Sequence, residues 1–518
     1  NVSTTYSKTN TGASSVALEA SDGTWSVETG ALNTDLGNDF KYLGDLTVTG
    51  ISNETTAVTD YTTAKTGATT NTLTATDNNW SIAVSTLDTA LTAGVRLAGN
   101  LTVTGIADGD ETTALTNYTT AKTGATTNTL TATDTNWSVI ASTLDTALAA
   151  QVRLADNLTV TGITSGNEAT ASATYATGAT TGATNVTLTA SDGTWSVTTG
   201  ALATDLGNNI KYAGALTVTG IASGNETAAL TAYTTAKTGA TTNTLTASDG
   251  AWSGTATDVM AAVTAGVLFA DALTVTSIAS GFEGGFAGVF NTGFTGATTN
   301  KLTANDGTWS LTDANLATYL SNGTLFAGAL TVMSIATDKE TAALTAYTNT
   351  LTGATSVTLT ASDTNWSVAA ATLDTALAAA VRLAGDLTVT GITTETNAST
   401  TYSKTATGAS NVMLTASDGT WSVTASALNT DLGNDIKYAG ALTVTGITDK
   451  AAALTAYTTA KTGATTNTLT ADGTWSVAAT ALDTALTAGV RLVGALTVTG
   501  IASGNETAAL AAYTDALT

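Results

Sequence analysis

Nine tryptophans recur along this chain, at Trp25, Trp80, Trp137, Trp195, Trp252, Trp309, Trp366, Trp421 and Trp475, 54 to 58 residues apart. A leucine that opens an L-T-V-like run follows each Trp by 21 residues (Leu46, Leu101, Leu158, Leu216, Leu273, Leu330, Leu387, Leu442 and Leu496). A fixed period of this size leaves few folds open. A repeat this small buries too little apolar surface alone, and stacking against neighbours supplies the continuous core. The reading is a single repeat array over residues 1–518, nine repeats of about 57 residues with no linker.

The second repeat shows the internal plan. Leu73 and Ala75 alternate with Thr72, Thr74 and Thr76, the period of a half-buried strand. An Asp precedes each Trp by three residues and marks a turn. Leu87, Leu91 and Val95 then fall on one helical face, with Gly94 and Gly99 read as the helix end. Leu101 and Val103 open a second strand, which Gly105 closes. Glu111 starts a second helix, with Leu115, Tyr118 and Ala121 at helical spacing. Strand–crossover–strand connections are right-handed almost without exception. The expected fold is therefore α/β: a solenoid of strand-helix-strand-helix repeats, one long parallel sheet with short helices on one side. A longer period overlies the first. N-V-S-T-T-Y-S-K-T at Asn1 returns as N-A-S-T-T-Y-S-K-T at Asn397, as expected when blocks duplicate.

Composition narrows the chemistry. The chain has no Cys, His or Pro and a net charge of −24. Without Cys there are no disulfides or thiolate ligands, and without His the commonest general base and zinc ligand are gone. No singular constellation of acids breaks the repeat, so an enzyme is not expected. The negative charge disfavours nucleic acid and anionic membrane surfaces. No apolar run approaches the ~20 residues of a membrane helix, so no membrane insertion is expected.

Several residues stand out within this frame. The Asp before each Trp (Asp22, Asp77, Asp134, Asp192 and their sisters) fits an Asx turn or a Ca²⁺ ligand. One carboxylate per repeat is few for an ion that takes 6–8 oxygens, so the turn is favoured and Ca²⁺ is the one cofactor left open. The Trp is expected in the core rather than stacked on a ligand. Thr-x-Thr pairs such as Thr47/Thr49 and Thr102/Thr104 line the outward strand face, an array that resembles the surface of ice-binding solenoids. The same array also suits a plain solvated strand face, or docking on another chain. Seven repeats carry a cation after the first helix (Lys41, Arg96, Arg153, Lys211, Arg382, Lys437, Arg491), whereas two carry Leu268 and Leu325. Between those two, Phe282, Phe286 and Phe294 replace small, polar or basic residues. Leu268, Phe282, Phe286, Phe294 and Leu325 are thus the expected partner contact, with a repacked core as the alternative.

The alternation of L-T-x-[ST]-D, a short Ala/Leu helix, V-T-V-T-G and a second Ala-rich helix resembles the repeats of large secreted bacterial surface proteins. These are S-layer and adhesin-type chains with D-T-A-x-x-L repeats. Here Trp follows the Asp (S-D-G-T-W, T-D-N-N-W) where the family pattern has Ala and Leu. The resemblance implies a structural protein that is secreted, extracellular or at the cell surface, and that self-assembles into a filament, fibre or surface layer. Its expected partner is itself, head to tail and laterally. The head-to-tail expectation rests on the two ends, where Asn1–Gly12 and 507–518 both read as the second-half helix. The alternative is an ice- or glycan-binding adhesin module using the Thr face or loops.

Overall fold

The computed structural model describes residues 2–164, 166–279 and 282–514. The fold is α/β with parallel sheets and a solenoid-like repetition of strand and helix. The chain divides into two compact units, Asn1–Gly250 with Met260–Ala270, and Ala251–Val259 with Asp271–Thr518. The first holds two six-stranded sheets. One runs from Val16–Glu28 through Phe40–Ile51, Thr70–Ala83, Val95–Ile106 and Thr127–Ala132 to Val152–Leu154. The other runs from Val267–Phe269 to Asn136–Ile140. The second unit holds a ten-stranded sheet, from Ala251–Thr255 to Val490–Val493, and the pair Trp475–Ala478 with Leu496–Thr499.

The register explains how neighbouring repeats hold each other. In the second repeat, residues 71–74 lie beside 95–98 and, past an irregularity, 79–83 lie beside 100–104. On its other side the stretch 100–103 takes 127–130 of the third repeat, which in turn takes 152–154. Each ladder is therefore four strands wide and drawn from two successive repeats. A repeat shares its backbone hydrogen bonds with the next one and not side-chain packing alone.

This register corrects several details of the sequence reading. The first strand does not stop at the Asp turn but continues through it, as Thr70–Ala83. The first helix is short, Val84–Thr92, and Val95 belongs to the following strand rather than to the helical face. Gly99 is not a helix end: it lies inside strand Val95–Ile106 at φ 107°. The second helix breaks at Tyr118 into Glu111–Asn117 and Thr120–Thr123, and Ala121 is exposed. At the far end, Glu506–Thr514 is helical and residues 515–518 lie outside the described residues.

Away from the Asp turn, every second residue of Thr70–Ala83 and Val95–Ile106 is buried in the main, so one face of the sheet carries the core. Leu73, Trp80, Leu97, Leu101 and Val103 are buried there, with Leu87, Leu115 and the ring of Tyr118 on the helices; Val84–Thr92 packs on these two strands, and Glu111–Asn117 on Asn136–Ile140 of the next repeat. Eight of the nine tryptophans are buried, and Trp25 is half-buried. Burial also takes in polar groups, and a recurring set of them is paired. Asn71 is fully buried, accepts from the Thr66 hydroxyl at 3.0 Å and donates to the Tyr61 carbonyl. The same trio recurs as Asn128, Thr123 and Tyr118, and as Asn467, Thr462 and Tyr457.

Strand edges are closed from within the chain. The Ser81 amide, on the free side of residues 79–83, donates to the Glu54 carboxylate at 2.8 Å. Ser367 and Ser422 do the same to Glu340 and Glu395. On the opposite edge the Leu154 amide donates to the Thr181 carbonyl at 2.7 Å. An unpaired strand edge invites another strand, and these contacts remove the invitation along the repeats.

Candidate interaction surface

The outward sheet face is built from hydroxyl rows. Register places Ser81, Thr102, Thr129 and Arg153 side by side across four strands. Sister rows read Ser26–Thr47–Thr72–Arg96 and Ser138–Thr159–Thr187–Lys211. The serines are exposed and the threonines half-buried. Each row therefore runs from small hydroxyls to a cation.

The cations are fixed by the helix ends around them. Arg153 Nη1 donates to the Leu148 carbonyl at 3.3 Å, in the last turn of Ala141–Ala149. Arg382 and Arg491 reach Leu377 and Leu486 in the same way. A cation at a helix C-terminus satisfies an orphan carbonyl and the negative end of the dipole. The turn that follows closes on the cation's stem. In T-A-K-T-G a Cβ on Gly124 would stand 2.9 Å from Arg96 Cβ, and Gly239 and Gly463 approach Lys211 and Lys437 in the same way. The lysine of the turn bonds within its own segment: Lys237 and Lys461 Nζ donate to the Thr231 and Thr455 carbonyls.

The sixth repeat breaks this pattern at both positions. Its row reads Ser253–Thr274–Lys301–Leu325, with leucine in the cation's place. The turn that closes over it is T-N-T-L-T-G, with Leu351 in the lysine's place, and a Cβ on Gly353 would stand 3.0 Å from Leu325 Cβ. Leu351 is 53% exposed, and Leu325 half-buried. On the same strand face Met333 replaces a threonine and is 38% exposed, its sulfur 3.6 Å from Ser310 Oγ. Phe282, which caps the helix Glu283–Val289, is 67% exposed. That helix packs on strand Asn300–Thr312, the neighbour of the strand carrying Leu325 and Met333.

Of the five residues singled out from sequence, Phe282, Phe286, Phe294 and Leu325 lie in the second compact unit and Leu268 in the first. Phe286 is half-buried and stacks on the fully buried Phe290 with ring centroids 5.8 Å apart. Phe294 is half-buried in the short helix Thr292–Thr295. Leu268 ends the row Ser196–Thr217–Thr244–Leu268. Sequence reading missed Leu351. The signal for Leu351 was present: it is the leucine that interrupts T-A-K-T-G.

The carboxylates before the tryptophans form turns. Asp22, Asp77, Asp134 and Asp192 each accept the amide two residues on, at 2.9 to 3.0 Å. These bonds hold the Asp22 carboxyl below the usual carboxylate range. Among the described residues no group of three or more His, Cys, Asp or Glu is placed to hold a metal ion. No helix among them is long and apolar enough to cross a membrane. The indoles act as donors: Trp80 Nε1 reaches the Ala98 carbonyl at 2.9 Å, and Trp195 and Trp366 repeat the bond.

Buried carboxylates pair with tyrosines. Asp35, Asp205 and Asp431 each accept a hydrogen bond from Tyr42, Tyr212 and Tyr438. Burial raises the Asp205 carboxyl above its ordinary value, and burial together with the Asp431 carboxylate raises the Tyr438 hydroxyl.

Compared with protein-family models, curated proteins and solved structures, the chain matches none.

Proposed function

We propose that this chain is a structural repeat protein of the cell exterior, a subunit that assembles with copies of itself, end to end and side by side, into a filament, fibre or surface layer. One observation carries the reading: the polar side chains that recur among the repeats are engaged in holding the repeat itself. The Asp before Trp closes a turn, Glu54 seals a strand edge, Arg153 caps a helix, and Asp35 holds Tyr42. A carboxylate already accepting a backbone amide is committed to that geometry. What the fold then offers outward is a regular surface, the property an assembly subunit needs. The likeness to secreted surface repeats supports placing it outside the cell. Negative-stain microscopy and sedimentation of the purified chain test it. Ordered assemblies are expected, and a monodisperse monomer at every concentration would reject the reading.

A second reading follows from the hydroxyl rows. Ser81, Thr102 and Thr129 stand in register on strands about 4.8 Å apart, a spacing that suits ordered water or the hydroxyls of a glycan. Thermal hysteresis and a glycan array decide it. Activity in either, lost on replacing Thr102 and Thr129 by Val, would favour binding over assembly.

A further inference from the structure

We infer that three side chains at each junction between repeats decide which repeat can follow which. A Ser–Asp–Tyr junction and a Leu–Ala–Leu junction are mutually exclusive, and the socket of one kind rejects the helix of the other. The inference concerns the surface by which one repeat recognises the next, and it does not depend on self-assembly.

The second-half helix of one repeat packs on the next repeat, Glu111–Asn117 on Ala141–Ala149 and Glu168–Thr174 on Asn185–Thr198. The helix contributes the residue three before the Tyr or Phe that ends it. The next repeat contributes the residues ten and seventeen after its Trp. Three junctions are polar: Ser3 with Asp35 and Tyr42, Ser172 with Asp205 and Tyr212, and Ser399 with Asp431 and Tyr438. Five are apolar, such as Leu115 with Ala147 and Leu154 or Leu344 with Ala376 and Leu383, and all their members are buried. The one left is Ala287 with Tyr319 and Phe326, where the small residue sits on the helix and the large ones in the socket. No junction mixes the kinds. The geometry shows why. The Ser172 hydroxyl donates to the buried Asp205 carboxylate, which also accepts from Tyr212. Ser399 donates to the Tyr438 hydroxyl, which in turn donates to Asp431. Ser3 and Asp35 line one cavity. A buried carboxylate needs donors, and leucine in the serine's place removes one and lays an apolar side chain against the charge. In the other direction, serine in place of Leu115 empties volume in an apolar socket. A repeat can therefore be copied or moved only to a place whose socket matches its neighbour's helix.

The test uses the whole chain, residues 1–518, and native-state hydrogen exchange of the amides in Glu168–Thr174 and Ile210–Ile221. Ser172→Leu is expected to speed exchange there by about tenfold, the effect of taking a donor from a buried carboxylate. In the background D205A/Y212L, which makes the socket apolar, the same change is expected to slow exchange by about threefold. D205A/Y212L alone costs less than Ser172→Leu, because the serine can turn its hydroxyl to a carbonyl of its own helix. A reversal of sign is coupling, which independent sites cannot give. If Ser172→Leu speeds exchange equally in both backgrounds, or leaves the wild-type rate unchanged, the socket does not read the helix and the inference falls. Should the Asp205 variants misfold, the reverse swap decides. Leu115→Ser is expected to speed exchange in Glu111–Asn117 by about tenfold, and L115S/A147D/L154Y to return it to within about threefold of wild type. A triple variant that exchanges as fast as the single one overturns the inference.

Discussion

The second and third repeats share their plan and differ at one backbone position. In the second repeat the strand bulge is Gly99, at φ 107°, and a Cβ there would stand 2.3 Å from the Asn78 carbonyl oxygen. The two chain segments close on each other, strands Thr70–Ala83 and Val95–Ile106 run unbroken, and the Trp80 indole finds the Ala98 carbonyl. The third repeat has Asp156 at the same place. Its strands are split, into Thr127–Ala132 with Asn136–Ile140 and Val152–Leu154 with Asn157–Ile163. The buried Trp137 Nε1 has no hydrogen-bond partner among the described residues. In this pair of repeats close backbone approach, strand continuity and a satisfied indole go together, whereas in the ninth repeat, with Gly494 at the position, the strands are split and the Trp475 indole still reaches the Val493 carbonyl. The third repeat tolerates their loss because its neighbours share its ladders.

The largest effect expected comes from erasing that difference in the wrong direction. Gly99→Asp should cost about 4 kcal/mol locally: about 3 for a side chain forced into a left-handed, obstructed site, and about 1 for the indole bond. Because arrays need not unfold in one step, the readout is native-state hydrogen exchange at the Trp80 indole and along Val95–Ile106. An unchanged exchange rate at Trp80 would show that the bulge is not what holds the indole.

A second pair of repeats sharpens the same lesson with side chains. Where the eighth repeat has Asp431 bonded to Tyr438, the second has Ala90 and Leu97, all buried. Two residues change together because either alone fails. Tyr438→Leu leaves a buried carboxylate without its donor and removes an edge-on ring contact with Trp421 at 4.9 Å. The expected cost is about 2–3 kcal/mol. The double change D431A/Y438L, which copies the second repeat, should recover most of it. A double variant no better than the single one would mean that Asp431 is not the source of the cost.

Smaller, and opposite in sign, is Asp156→Gly. It permits the closed geometry and should stabilise the third repeat by about 1 kcal/mol, the worth of one hydrogen bond. Slower exchange of the Trp137 indole proton is the measurement. No slowing would mean that the split comes from the turn at Thr135, itself at φ 62°, rather than from Asp156.

These contrasts also show what the sequence could reveal. The period, the parallel α/β plan, the buried tryptophans and the Asp turn were legible because each is local and occurs nine times. The second strand's true start at Val95 was not. Val95 continues a helical i, i+4, i+8 series from Leu87, and Gly99 imitates a helix stop. A bulge is set by a contact with Asn78, 21 residues away, which no local pattern records. The apolar break in the hydroxyl rows was half legible. Leu325 and Phe282 stood out as apolar residues at polar positions. Leu351 did not, because it sits in the turn that Gly353 closes against the stem of Leu325, a long-range approach that no local pattern records.

The smallest effect at neutral pH appears only on the alkaline side, and it separates repeats by their tyrosine partners. Burial, then the Asp88 hydrogen bond and charge, raise the Tyr118 hydroxyl. The same causes act on Tyr175 with Asp145 and Tyr42 with Asp35, and Tyr402 beside Asp374 is pushed up to about 12. A raised folded-state value means that folding favours the protonated phenol. The stabilisation is complete below the ordinary tyrosine value of 10.0 and is lost as pH climbs from there through the raised value. Stability should therefore be flat from neutrality to about pH 10 and fall above it, and Tyr402→Phe should flatten that fall. The Tyr61 hydroxyl faces Asn33 in place of an acid; burial still raises it, but the Asn hydrogen bond works against the shift. The ultraviolet titration of single-tyrosine reporters should then find Tyr61 ionising before Tyr118. If Tyr61 and Tyr118 titrate together, burial alone sets the phenols and the neighbouring carboxylate adds nothing.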